Sequence, residues 1–253
     1  FLTLDSVTIG KGVTIIPSEF ISGCVNVTSL TIPESVTSIG SNAFTNTGLV
    51  SLVYNATNCP TASFSDFLSL NSVTIGSDVV TIPANFISGC SNVTSINIPS
   101  SVTSIGSSAF KNTGLTSIVI PTSVTSISDQ TFSGCSALTS VSIPASVANI
   151  GASAFLNCVG LTTVTIPVNV SNIGSQAFAN TGLTSLVYNA ANCPTASFAN
   201  LSYLNSVIIG SGVLNIPANF ISGCSNVTSL NIPSSVTSIG SSAFKNTGLT
   251  SIV

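Results

Sequence analysis

Histidine, methionine, tryptophan and arginine are absent from this chain, and only nine residues are charged: three Lys and six Asp or Glu. Each gap removes a class of chemistry. Without His there is no Ser-His-Asp or Cys-His nucleophile and no imidazole ligand for zinc. Three scattered Lys in a chain of net charge −3 supply no basic stripe for nucleic acid. The charges are Asp5, Lys11, Glu19, Glu34, Asp66, Asp78, Lys111, Asp129 and Lys245. They are dispersed rather than paired, whereas general acid–base catalysis needs positioned partners with shifted pKa values. Asp5, Lys11 and Glu19 read as a solvated edge, and no Asp-x-Asp-x-Asp-Gly calcium loop occurs. Apolar residues make up 44%, too many for a disordered chain. Yet polar residues interrupt every apolar run before it reaches the length of a membrane-spanning helix. The expectation is a folded, non-enzymatic protein with no catalytic, cofactor or metal residues, no nucleic-acid partner and no membrane span.

What is present is repetition. A strand-like run of apolar-x-Ser-apolar-x-apolar starts at Leu4, Val27, Leu49, Leu70, Val93, Leu115, Leu138, Leu161, Leu183, Leu204, Val227 and Leu249, in steps of 21–23 residues. A phenylalanine column keeps the same rhythm: Phe20, Phe44, Phe64, Phe86, Phe110, Phe132, Phe155, Phe178, Phe198, Phe220 and Phe244. One period reads as one coil. Leu115–Pro121 alternates apolar and polar residues and ends at proline, Ser123–Ile127 is a second short extended run, and Gln130–Gly134 turns back. A single coil cannot bury its apolar side. Stacked coils pair their strands edge to edge and bury a continuous core. The fold class expected is a β-rich solenoid of about twelve coils of 21–23 residues. Three residues before each strand start stand Phe1, Cys24, Asn46, Phe67, Cys90, Asn112, Cys135, Cys158, Asn180, Leu201, Cys224 and Asn246. This column is expected to face inward, as the shared Cys/Asn position of leucine-rich repeats does.

With these residues identified, Ser101–Phe110 followed by Leu115–Pro121 resembles the BspA-like leucine-rich repeats, and the resemblance runs along essentially the whole chain. It implies a leucine-rich repeat solenoid and a surface or secreted protein, of a family proposed to act in adhesion and carrying no catalytic residues to transfer. Two units depart from the pattern. Tyr54–Phe64 and Tyr188–Phe198 replace the Ile-Pro-x-Ser-Val run with a shorter loop.

A longer period lies above the first. Tyr54-Asn-Ala-Thr-Asn-Cys-Pro60 recurs 134 positions later as Tyr188-Asn-Ala-Ala-Asn-Cys-Pro194. Ser72–Val119 matches Ser206–Val253 with five differences in 48 positions: Thr74/Ile208, Asp78/Gly212, Val80/Leu214, Thr81/Asn215 and Ile96/Leu230. The chain opens and closes in mid-unit. Residues 1–253 are expected to form a single solenoid, a window of a longer tandem array built on this six-coil super-repeat.

Two residue types carry chemistry. The seven cysteines read as small buried thiols, with Cys135 and Cys158 in adjacent coils as a candidate disulfide; partners for Cys59 and Cys193 cannot be deduced. Asn-x-Ser/Thr acceptors for N-glycans occur at Asn26, Asn55, Asn92, Asn169, Asn200 and Asn226. The first, third and last of these share one repeat position before the strand. The outward strand column, Thr8, Thr31, Val53, Thr74, Asn97, Val119, Ser142, Thr165, Val187, Ile208, Asn231 and Val253, lacks the Tyr, Trp and Arg anchors of binding faces. A column of Ser, with Thr163 the exception, runs beside it from Ser6 to Ser251 and is read as local bonding and solvation. Two functions follow as expectations. One is an extracellular or cell-surface structural protein, a glycosylated rod that self-associates into filaments. The other is an adhesion module binding a host or matrix ligand on one face.

Overall fold

The computed structural model describes residues 3–252, so the expectations at Phe1 and Val253 lie outside the described residues. The chain winds as a parallel β-solenoid of about eleven turns, and no helix occurs among the described residues. Two strand ladders run along it. The first carries Ser29–Ile32, Ser51–Tyr54 and Ser72–Ile75, and further on Ser117–Val119 with Ser140–Ser142 and Thr163–Ile166 with Ser185–Tyr188 and Ser206–Ile209. All pair in parallel, with Ser29 opposite Ser51, Ser51 opposite Ser72 and Ser117 opposite Ser140. The serine column of the sequence is therefore the register of the sheet. Alternation does the rest: in Ser29–Ile32 and Thr163–Ile166 the second and fourth residues are buried and the first and third exposed. The second ladder is built from two-residue strands such as Ser126–Ile127, Asn149–Ile150 and Asn172–Ile173.

A third ladder forms on the turn side, where no strand is present. Gln130, Phe132 and Gly134 donate their N–H groups to the carbonyls of Ala152, Ala154 and Leu156 in the next coil, at 2.7–2.9 Å. Ser153, Phe155 and Asn157 repeat the pattern to Ser175, Ala177 and Ala179 at 2.8–3.0 Å. Left-handed residues bracket each such turn. Among the described residues sixteen non-glycine residues have positive φ, nine of them Asn and one Asp, the side chains that adopt this conformation most readily. At these nine positions asparagine meets a backbone requirement.

The core is one continuous cluster. Within it Phe110, Phe132, Phe155, Phe178 and Phe198 stack at centroid distances of 5.2–5.5 Å and interplanar angles of 11–29°. The two short-loop coils interrupt this spine and repair it in the same way. Tyr54 and Tyr188 stand in register with isoleucines and are fully buried. Each lies edge-on to a Phe one coil further on, at 4.9 Å from Phe86 and 4.8 Å from Phe220. Each hydroxyl donates to a carbonyl of its own loop, Cys59 or Cys193, at 3.4 Å. The lost segment of the second ladder is replaced by a threonine: Ile39 N donates to Thr61 Oγ1 at 2.8 Å and Ile173 N to Thr195 Oγ1 at 3.0 Å.

The expected inward column is half right. Its cysteines are buried, but Asn46, Asn112, Asn180 and Asn246 are exposed. These asparagines hold φ of 55–59°, the role that Gly23, Gly89, Gly134 and Gly223 play before cysteine. The next residue points inward instead: Thr113 and Thr181 are buried and donate to Phe110 O and Phe178 O at 2.8 Å. The reason is turn length. Leu115 stands five positions after Phe110 but Leu138 stands six after Phe132, while Thr113 and Cys135 both stand three after their Phe, so counting back from the strand aligns asparagine with cysteine although the turn places threonine there.

The spine yields a stability prediction. Phe155→Ala, in the middle of the stack and fully buried, is expected to cost about 3–5 kcal/mol in denaturant unfolding. Phe20→Ala, at a site 41% exposed, is expected to cost less than about 1.5 kcal/mol. Equal costs would contradict the packing described.

Candidate functional site

All seven cysteines are buried free thiols. The bridge allowed by the adjacent positions of Cys135 and Cys158 is not formed. Each sulfur has another partner: Cys90, Cys135, Cys158 and Cys224 donate to the carbonyls of Phe64, Phe110, Phe132 and Phe198 in the preceding coil at 3.0–3.2 Å. The thiol thus satisfies a carbonyl at the turn, as threonine does in the shorter coils. Burial raises the thiol pKa of Cys135, Cys158 and Cys224, and lifts that of Cys90 from 9.0 to about 11. A buried thiol held protonated is a poor nucleophile and a poor metal ligand. Among the described residues no group of three or more His, Cys, Asp or Glu is placed to hold a metal ion.

Charge gathers at one place. Lys11, Glu34 and Asp78 line an open groove with Asn55. One super-repeat further on, the same positions are Ala145, Val168 and Gly212, so this charge is not part of the repeating surface. Hydroxyls stitch the coils together. Ser35, Ser101, Ser123, Ser146 and Ser235 each donate to the carbonyl of a valine one coil back at 2.5–2.8 Å. The strand serines Ser29, Ser72, Ser117 and Ser140 are exposed to solvent, and in the column beside them Val119 and Ile208 are 70% and 56% exposed.

The six glycan acceptors are not equivalent. Asn26, Asn92, Asn169, Asn200 and Asn226 are exposed, and Asn55 is half-buried. Asn92, Asn169 and Asn226 use Nδ2 to donate to the carbonyls of Leu68, Ala145 and Ser202 at 2.6–2.8 Å. Asn55 packs against Gly76, where an added Cβ would collide with its side chain. A second groove lies where the short turn at Asn180-Thr181-Gly182 is flanked by Val159 and by Asn200–Tyr203; Tyr203 is 64% exposed. The equivalent groove one super-repeat earlier is lined by Asn46, Thr47 and residues 66–69.

The thiol burial sets a pH dependence. In the unfolded chain cysteine ionises near its ordinary value of 9.0, whereas in the folded chain Cys90 stays protonated to about 11. The folded state therefore binds more protons than the unfolded state above pH 9, and stability falls as pH rises. Each such thiol removes up to about 1.4 kcal/mol per pH unit. Unfolding midpoints should be flat in this respect at neutral pH and drop steadily from about pH 9 to 11. A midpoint that held through this range would contradict the burial of the thiols.

Residues 2–113, 57–186 and 181–253 match the BspA type leucine-rich repeat region, in six copies. A leucine-rich repeat protein from Eubacterium ventriosum is similar in fold, with 19% identity over 96% of this chain and 82% of that one and a TM-score of 0.53. A leucine-rich cell surface protein from Faecalibacterium prausnitzii aligns at 25% identity over 96% and 77% of the two chains, with a TM-score of 0.43. The leucine-rich repeat protein of T. pallidum aligns at 25% identity over 59% of this chain and 72% of that one, with a TM-score of 0.46. No curated protein matches the chain. The repeat match spans nearly every residue, and the coil it describes is the coil observed: the chain belongs to the BspA-type leucine-rich repeat family.

Proposed function

We propose that this chain is a non-enzymatic structural protein of a cell surface or extracellular matrix, a glycosylated repeat rod that associates with its own kind into filaments. The observation that carries this reading is the near-identity of surfaces six coils apart, with five differences in 48 positions. A fibre or lattice reuses one surface at each step, whereas a recognition face diversifies. The low charge fits the same use. Neighbouring rods of a chain with nine charges lie side by side without strong self-repulsion. Glycans at the exposed acceptors Asn26, Asn92, Asn169, Asn200 and Asn226 would keep such a surface soluble, and the family match supports a surface location. No helix of the described residues is long and apolar enough to cross a membrane.

The second reading, an adhesion module, draws on the same family relation and on the exposed Val119 and Ile208 in the outward column. Electron microscopy of material from the native source separates the two. Filaments with a repeat matching coil stacking, and with association unchanged by added salt, are expected. Discrete, capped single molecules would overturn the filament reading and turn attention to a ligand of the outward face.

A further inference from the structure

We propose that Asn200 and Tyr203 form one modification site, in which Asn200 carries an N-linked glycan and its first sugar ring packs on the exposed ring of Tyr203. This rests on the glycosylated-surface reading above and deepens it by naming a site and its contact. The two super-repeats supply the first observation. Ser65-Asp66-Phe67-Leu68-Ser69 in one corresponds to Ala199-Asn200-Leu201-Ser202-Tyr203 in the other, and all five positions differ. The 48 positions that follow differ at only five. Two of the concentrated changes, Asp66/Asn200 and Leu68/Ser202, create the acceptor triplet, and a third, Ser69/Tyr203, places an aromatic ring beside it.

Geometry supplies the second. Asn200 is exposed, with φ of 60°. Its backbone N–H is held by Ser222 O at 2.8 Å. Its Oδ1 lies against Gly223, where an added Cβ would collide with it. The amide carbonyl therefore faces the next coil, and no hydrogen bond within the described residues engages Nδ2. Asn92, Asn169 and Asn226, in contrast, spend that nitrogen on a carbonyl. Tyr203 is 64% exposed and shares a groove with Asn200, Val159, Asn180 and Thr181, none of them charged. The face of an aromatic ring carries negative potential and attracts the weakly positive C–H groups of a sugar ring. The neutral amide and hydroxyl lining suits an uncharged amino sugar.

The chemistry requires a co-reactant, an oligosaccharide linked to a polyprenyl diphosphate. The bond from its anomeric C1 to the diphosphate oxygen breaks. A bond from C1 to Asn200 Nδ2 forms, the amide releases one proton, and the polyprenyl diphosphate leaves. No oxidation or reduction takes place.

The test has two parts. Glycopeptide mapping of the protein from its own cells is expected to find Asn200 occupied. A bare Asn200 among other filled acceptors overturns this inference alone, and six bare acceptors overturn the glycosylation reading as well. Tyr203→Ala is then made in the occupied protein and in an Asn200→Gln background, both produced in the same cells. The expected result is a melting temperature lowered by about 2 °C or more in the occupied protein and unchanged in the Gln background. Equal shifts in both backgrounds overturn the contact between glycan and ring.

Discussion

The hydrogen bond from one coil to the coil 21–23 residues away holds this molecule together. Short-range bonds close each turn, and the remaining backbone groups of the turn find their partners in a neighbouring coil. The strand ladders use it, as when Gly151 N donates to Ile127 O at 2.8 Å. The turn ladder uses it in the opposite chain direction, from Phe132 N to Ala154 O at 2.9 Å. Side chains fill the places the backbone leaves open: Ser123 bonds Val102 O, Cys135 bonds Phe110 O, and Thr195 accepts from Ile173 N. Among the described residues no buried side-chain oxygen or nitrogen is left without a partner. Because the strand ladders and the turn-side ladder all cross coil boundaries, each coil is tied to its two neighbours, and stability is close to a sum of coil and coil-interface contributions.

This constraint explains the composition. A residue in a coil meets the same position of the coils on either side, so like stacks on like. Phenylalanine, leucine and serine gain from self-stacking and charges repel, which accounts for columns of the former and only nine of the latter. The left-handed turn positions favour Asn and Gly, and four of the acceptor triplets, at Asn26, Asn92, Asn200 and Asn226, start at such an Asn or at a neighbour in the same turn.

Much of the fold was legible before the structure. The 21–23-residue steps are the ladder register, the strand alternation places the core, and the phenylalanine column supplies the spine from Phe110 to Phe198. What escaped reading depends on turn length and on partners out of sequence view. Cys135 and Cys158 stand in adjacent coils, yet each thiol is claimed by a phenylalanine carbonyl. Asn112 counts back to the cysteine position, but the five-residue turn puts Thr113 there. Tyr54 and Tyr188 marked the irregular coils, while the rescue by Thr61 and Thr195 left no periodic signal. Of the candidate site, the six acceptor positions could be read directly. That Asn200 keeps its amide nitrogen unengaged while Asn92 and Asn226 do not depends on which coil lies beside each.

The central claim is that the turn side is a hydrogen-bonded ladder equal to the strands, although it contains no strand. Residue-resolved amide hydrogen exchange tests it directly. The N–H groups of Gln130, Phe132, Gly134, Ser153, Phe155 and Asn157, all donors to the next coil, should be protected as strongly as those of Asn149–Ile150 and Thr163–Ile166. Fast exchange at these six amides beside slow exchange in the strands would contradict the account.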